Sequence, residues 1–133
     1  MEFCGADGWH IFGNDYLNGV DILKLQIDWE RPIFQENIVL QIAPSDLDDF
    51  YVEASDLDKA NLFFILLASF QHYLERKERE RAAHLSFLMA YYLFNALTPP
   101  GSCELSIHYI KQAISLNPIE LYTEWLSLIE KEN

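Results

Sequence analysis

The pattern of apolar and polar residues changes near residue 55 and predicts two parts that differ in secondary structure. Between residues 20 and 29, apolar side chains alternate with polar ones, as in a strand with one buried face. Residues 37–42 contain three β-branched side chains, at positions 38, 39 and 42, and Pro44 follows closely, which favours a second strand. Because the two runs are close in sequence, we expect them to pair as a β-hairpin across residues 32–36.

The chain after residue 55 has the apolar pattern of long helices. Ser55 is expected to cap the first of them, with Asp58 three residues further on in the manner of a capping box. Apolar side chains surround the helix axis over residues 57–74 and again over residues 82–97, which is typical of buried helices. A single helix over both would be about 60 Å long, twice the diameter of a small domain, so we expect a break within residues 75–81.

Two shorter helices complete the predicted helical part. The sequence Thr-Pro-Pro-Gly at residues 98–101 should end the second helix, and Ser102 is expected to cap a third helix that reaches Leu116. Asn117 is expected to cap a fourth helix that begins at Pro118, because proline is favoured in the first turn.

These elements predict an α+β protein, with an N-terminal β-hairpin region packed on a C-terminal bundle of about four helices. The length of 133 residues fits one domain. We therefore expect a single domain over residues 1–133, of which residues 1–54 are irregular and β-containing and residues 55–133 are helical.

The net charge of the chain is strongly negative and unevenly distributed. The formal charge is −12, and residues 1–59 hold thirteen acidic residues against three basic ones, or −10. Contact with phosphate needs Lys and Arg, so direct binding to nucleic acid or to an anionic membrane surface is disfavoured. Such a charge distribution indicates a basic protein as the partner. The chain itself is expected to be a monomer or a dimer.

The candidate binding site is the acidic segment at residues 45–58. It contains no Lys or Arg and combines carboxylates with aromatic side chains, as do interfaces that attract and anchor a basic partner. A solvated loop before a helix N-terminus would explain part of the same composition, because the helix dipole favours acidic residues there. Asp48 and Asp49 are expected to lie in a polar loop. The predicted partner-binding residues are Asp46, Asp48, Asp49, Phe50, Tyr51 and Glu53.

The sequence contains no motif that indicates catalysis, a metal site or a cofactor site. An EF-hand loop counted from Asp46 would have Tyr51 where a glycine is required and Leu57 where a glutamate is required. The surroundings of His72 and His84 lack the Glu-x-x-His spacing of a di-metal helix bundle. We therefore predict no cofactor, no metal and no enzymatic activity.

The N-terminus and the cysteines favour the cytoplasm. The first ten residues have neither the basic region nor the apolar core of a signal peptide. The longest apolar stretch, residues 60–70, is too short to span a bilayer. Cys4 and Cys103 form no CxxC motif, and we expect two reduced thiols, with one long-range disulfide as the alternative.

Residues 102–118 resemble the second helix of a tetratricopeptide repeat. Tyr109, Ala113, Leu116 and Pro118 fall at the aromatic, small, apolar and proline positions of that motif, whereas one position that is small in the motif is a leucine here. The resemblance covers one unit, and arrays of such repeats need about three. It implies a helical hairpin with similar packing, not a repeat protein.

The chain as a whole resembles the immunity proteins of bacterial polymorphic toxin systems, including contact-dependent growth inhibition. Those proteins are small, cytoplasmic, often strongly acidic and without catalytic motifs. The resemblance implies an inhibitor that binds and neutralises a cognate toxin, a basic nuclease, by covering its active site or substrate groove with an acidic surface. The alternative is a helical adaptor that binds a peptide segment of a partner protein in a groove lined by Tyr91, Tyr92, Tyr109 and Tyr122.

Overall fold

The structure, a computed structural model, describes residue 25 and residues 27–132. Helices account for 76% of these residues, and there is no strand among them. The predicted α+β class is therefore wrong, since the described part of the chain is all-α. Its helices are α1 (Glu36–Val39), α2 (Pro44–Glu53), α3 (Asp56–Glu75), α4 (Arg79–Tyr92), α5 (Ser102–Leu116) and α6 (Glu120–Glu132), and a π-helical turn (Leu93–Leu97) continues α4.

Residues 37–42, the second predicted strand, form most of α1 and the turn that follows it. Val39 and Ile42 are buried, whereas Ile38 and Leu40 are 40% and 43% exposed. A strand would place residues 38, 40 and 42 on one face, so burial at a spacing of three residues is the periodicity of a helical turn. The β-branched composition of this segment therefore reflects packing and not a strand.

The first predicted strand, residues 20–29, lies mostly outside the described residues. Its described end, residues 27–29, is not a strand, and a turn follows in which the Arg31 N–H donates to the Asp28 carbonyl oxygen at 2.9 Å. Because residues 37–42 are helix and turn, they offer no strand for it to pair with. The predicted β-hairpin is therefore wrong for the described chain.

The predicted start of the helical part is confirmed at α3. Ser55 is the N-cap, and its Oγ accepts a hydrogen bond from the Asp58 backbone N–H at 3.1 Å. The break predicted within residues 75–81 is also confirmed, because three residues separate α3 from α4. Lys77 lies in this connection with a φ of 62°, and a left-handed residue of this kind ends a helix.

Of the last two helices, α5 starts one residue earlier than predicted and α6 starts two residues later. Gly101, with a φ of 81°, is the N-cap of α5, so that Ser102 is the first helical residue instead of the cap. α5 ends at Leu116 as expected, and α6 begins at Glu120 instead of Pro118. The predicted stop before α5 is confirmed, since Thr98 has a left-handed φ of 40° directly after the π-helical turn.

α4 lies at the centre of the fold and contacts α1, α2, α3 and α5. Residues 85–94 are all buried, in agreement with the apolar pattern that surrounds this helix. Two serine hydroxyls bind carbonyl oxygens across the α4–α5 contact. Ser86 Oγ donates to the Tyr109 oxygen at 2.7 Å, and Ser106 Oγ donates to the Ala90 oxygen at 3.2 Å. Small side chains thus allow close helix packing while their polar atoms remain satisfied.

The segment before α2 is attached to the bundle by side chains that bind its backbone. The Phe34 N–H donates to Ser69 Oγ at 3.0 Å, and the Tyr73 hydroxyl donates to the Phe34 carbonyl oxygen at 2.6 Å. His84 Nε2 lies 2.7 Å from the Ile42 carbonyl oxygen. These contacts fix the position at which α2, and with it the acidic segment, begins.

Candidate functional site

Most of the acidic segment is helical and is not the polar loop that the sequence predicts. Pro44 is the first residue of α2, where the missing N–H of proline costs no hydrogen bond. Asp46 Oδ2 accepts a hydrogen bond from the Ala43 N–H at 2.8 Å, which closes the first turn. α2 buries Leu47, and its exposed residues follow a helical spacing: Ser45, Asp49, Val52 and Glu53.

Asp48 joins α2 to the core. Its Oδ2 accepts a hydrogen bond from the Tyr91 hydroxyl at 2.8 Å, across a separation of 43 residues. Desolvation raises the pKa of the Asp48 carboxyl to about 6, the Tyr91 hydrogen bond opposes this, and the charge of Asp49 adds to it. Burial and the Asp48 carboxylate raise the pKa of Tyr91, so its phenol remains a donor. Asp48 therefore has an intramolecular role.

Asp46 also has an intramolecular role, at the start of α2. Desolvation raises the pKa of its carboxyl, the hydrogen bond from the Ala43 N–H lowers it, and the charge of Asp49 raises it. The half-buried carboxylate is thus used to cap its own helix.

Phe50 and Tyr51, the two predicted aromatic anchors, are half-buried and pack against the protein core. The Tyr51 ring meets the Tyr92 ring edge-on, with 6.2 Å between their centres. Lys59 Nζ lies 4.4 Å from the centre of the Tyr51 ring and 3.7 Å from Asp56 Oδ1. These contacts hold the last turn of α2 against the first turn of α3.

The structure therefore divides the six predicted residues into two groups. The side chains of Asp49 and Glu53 are exposed on α2, whereas the other two carboxylates and both aromatic rings are half-buried. Asp56 extends the exposed group, because it lies in the first turn of α3 with a fully exposed side chain. We call Asp49, Glu53 and Asp56 the acidic rim.

Sequence reasoning missed three apolar residues beside the acidic rim. Val52, Leu57 and Phe64 are 78%, 70% and 60% exposed, which are the highest values among the large apolar residues of the described chain. Leu57 and Phe64 share a face of α3, since they are seven residues apart. We call these three residues the apolar patch. The sequence contains a signal for the apolar patch, because α3 is apolar on nearly all sides. When the other helices cover only part of such a helix, some of its apolar side chains remain exposed to solvent.

The tyrosines that an adaptor groove would use lie mainly in the core. Tyr91, Tyr92 and Tyr122 are 5%, 0% and 3% exposed, and Tyr109 is half-buried. The Tyr92 hydroxyl donates to the Lys59 carbonyl oxygen at 2.5 Å, a contact between α4 and α3. These side chains contribute to helix packing.

Other candidate chemistry is sparse in the described residues. They contain no group of three or more His, Cys, Asp or Glu side chains that could hold a metal ion. Burial lowers the pKa of His84, which favours the neutral ring beside the Ile42 carbonyl. Cys103 is disulfide-bonded and not the reduced thiol that we predict, while Cys4 lies outside the described residues.

A shallow depression lies at the α3–α4 connection, far along α3 from the acidic rim. Its volume of about 220 Å³ is smaller than the roughly 300–1,000 Å³ of ordinary ligand pockets. Arg79, on its wall, donates to the carbonyl oxygens of Ser115 and Leu116 and so closes the end of α5. The residues that line it are Leu74, Lys77, Glu78, Arg79 and Leu116.

Comparisons with protein-family models, with curated proteins and with solved structures found no match for this chain. In the part of the chain that the structure describes, no helix combines the length and the hydropathy needed to cross a bilayer. The functional conclusion therefore depends on the chemistry of the surface formed by α2 and α3.

Proposed function

We propose that this chain is a cytoplasmic inhibitor that binds and neutralises a cognate toxin, a basic nuclease, by covering its active site or substrate groove. The observation that supports this most strongly is the acidic rim, which presents exposed carboxylates in a stretch, residues 46–58, without Lys or Arg. A nuclease groove carries Lys and Arg that contact phosphates. The rim offers such a groove carboxylates in the place of phosphates.

Electrostatic attraction would act mainly on the rate of encounter. The charge of −10 over residues 1–59 attracts a basic surface from a distance, which raises association rates at low salt. Each exposed charge pair contributes little on its own, about 0–1 kcal/mol. High affinity therefore requires several charge pairs that are desolvated together in the interface. Inhibition would follow from occupation of the groove, without any chemical step by this protein.

The adaptor hypothesis has no comparable support on the surface. Three of its four groove tyrosines are buried, and the fourth is half-buried beside Phe63, with 6.1 Å between ring centres. A peptide could reach these rings only by opening the helix packing. We therefore do not propose it as a second function.

The proposal predicts a large toxin gene directly upstream of this gene, and co-expression with the C-terminal toxin domain of that protein tests it. The chain should restore growth to cells that produce the toxin domain, and the purified chain should inhibit its nuclease activity at a one-to-one ratio. The double variant Glu53→Lys/Asp56→Lys should bind at least about 30-fold more weakly, because it places like charges against the groove. The stability of Glu53→Lys should stay within about 0.5 kcal/mol, because its side chain is exposed. Asp56→Lys should lose about 1 kcal/mol, because it places a cation at the start of α3 and beside Lys59.

The matched control is Glu124→Lys/Glu130→Lys, which changes two exposed residues of α6 and alters the net charge by the same amount. It should bind and inhibit as the parent chain does. The proposal is wrong if the parent chain neither binds nor protects. The acidic rim is not the site if both double variants lose affinity equally, because net charge alone would then explain the effect.

A further inference from the structure

We infer that the apolar patch is the centre of the docking surface, and that its occupant is a basic amphipathic segment of the partner, in which apolar side chains lie among Lys and Arg. The inference rests on the proposed function, since it names what the acidic rim surrounds. Beyond that function, the inference identifies the apolar residues that anchor the interface and the chemistry of the partner segment that binds them.

The concentration of exposed apolar residues in one place is the first reason. Single exposed apolar side chains are ordinary on soluble proteins and need no explanation. Here the three highest exposures of large apolar residues in the described chain all fall within residues 52–64. Exposed apolar surface grouped in this way and bordered by polar residues marks interaction sites.

The corner between α2 and α3 contains all three residues within a short stretch of chain. Leu57 and Phe64 are separated by a rise of about 10.5 Å along one face of α3. Only two residues connect α2 to α3, so Val52 in the last turn of α2 lies close in sequence to Leu57 at the start of α3. The contact of Lys59 with the Tyr51 ring at 4.4 Å closes the corner. The patch thus has the length that anchors at i, i+3, i+4 and i+7 of a partner helix would cover.

The charges around the patch indicate the chemistry of the occupant. Glu53 follows Val52 in sequence and Asp56 precedes Leu57, so each of these two exposed apolar residues has a carboxylate as its neighbour in sequence. Lys59, in the first turn of α3, lies against Asp56 and the Tyr51 ring. A segment that buries the patch and satisfies the carboxylates must carry cations beside its apolar residues.

The same charges argue against a second copy of this chain as the occupant. A two-fold contact places the same surface of both subunits face to face. Glu53 and Asp56 of one copy would then approach those of the other, and like charges at an interface weaken it. A basic partner avoids this repulsion.

Binding of two synthetic peptides, measured by isothermal titration calorimetry, tests the inference. One peptide is a helix of about five turns with Leu at i, i+3, i+4 and i+7 and Lys elsewhere, and the other has Ala in place of each Leu. The parent chain should bind the Leu/Lys peptide at least about tenfold more tightly, which corresponds to about 1.4 kcal/mol. The variant Leu57→Ser/Phe64→Ser should lose this difference and bind the Ala/Lys peptide as the parent does.

The control is Leu121→Ser/Leu128→Ser, which removes two apolar side chains of α6 that are 45% and 41% exposed. It should leave the binding of both peptides unchanged.

Equal binding of the two peptides by the parent chain, or no binding of either, overturns the inference and leaves the toxin-protection experiment to decide the function. Patch-dependent binding in a chain that gives no protection refutes the inhibitor function and not the docking surface. Sedimentation that shows a parent dimer, dissociated by Leu57→Ser/Phe64→Ser, would assign the patch to a second copy and overturn the inference.

Discussion

Asp48 is a carboxylate whose ionised form the fold disfavours. Its oxygen accepts a hydrogen bond from Tyr91, but desolvation outweighs this contact and raises the pKa of the carboxyl from 3.8 to about 6. A raised pKa in the folded state means that folding is favoured when the carboxyl is protonated. The contribution is present in full below pH 4 and is lost as the pH rises through about 6. His84 acts in the opposite direction, because burial lowers its pKa.

Replacement of Asp48 by Asn isolates the contribution of this carboxyl. The amide oxygen can still accept the Tyr91 hydrogen bond, and the side chain is neutral at every pH. At pH 7.5 the Asp48→Asn variant should be more stable than the parent by about 1–2 kcal/mol. The rise of the Asp48 pKa from 3.8 to about 6 corresponds to about 3 kcal/mol. Partial exposure of the carboxylate to solvent lowers the expected gain in stability below this value. Urea denaturation at pH 7.5 and at pH 4 measures both values, and at pH 4 the difference should disappear.

Glu53→Gln is the control for this measurement, because Glu53 is an exposed carboxylate on the same helix. Its free energy of unfolding should follow that of the parent at both values of pH. A stability gain of Asp48→Asn that persists at pH 4, or a loss at pH 7.5, would show that desolvation does not dominate at this position.

At the level of elements, the long helices could be predicted from the sequence and the first short ones could not. The bounds of α3 and α4 follow from local signals, namely the Ser55 cap and the charged stretch at residues 75–81. The segment at residues 37–42 is only six residues long, and the pattern of so short a segment does not distinguish a strand from a helix. Contacts distant in sequence decide its structure: Tyr73 and Ser69 hold Phe34, which is 39 and 35 residues away.

The attachment of this segment can be tested with Tyr73→Phe. The variant removes the donor to the Phe34 carbonyl oxygen and leaves that buried oxygen without its partner, which costs about 1–3 kcal/mol. Hydrogen exchange in native conditions should accelerate selectively over residues 34–42. Ser106→Ala, which removes a serine-to-carbonyl bond between α5 and α4, should lower stability without this selective effect. Uniform acceleration in both variants would mean that the segment does not open separately from the bundle.

The two ends of α3 lie in regions of opposite charge. This helix of 20 residues is about 30 Å long, with Asp56 of the acidic rim at its start and the stretch at residues 75–81, of net charge +1, at its end. The sequence was sufficient to locate the acidic segment, but it could not show which side chains face outward. The inward contacts of Asp48 with Tyr91 and of Tyr51 with Tyr92 bridge 43 and 41 positions. Only the packed fold separates the acidic rim from the half-buried carboxylates of Asp46 and Asp48.

The acidic rim and the apolar patch are proposed to attract and bind a basic partner. The salt dependence of the association rate constant kon measures this attraction. Stopped-flow association with the toxin domain should be compared between about 0.05 M and 0.5 M salt, a range over which the Debye length shortens about threefold. We expect kon of the parent chain and of Glu124→Lys/Glu130→Lys to fall at least about tenfold, while kon of Glu53→Lys/Asp56→Lys is lower at the start and depends less on salt. A kon of the parent chain that stays constant over this range would show that charge does not drive the association.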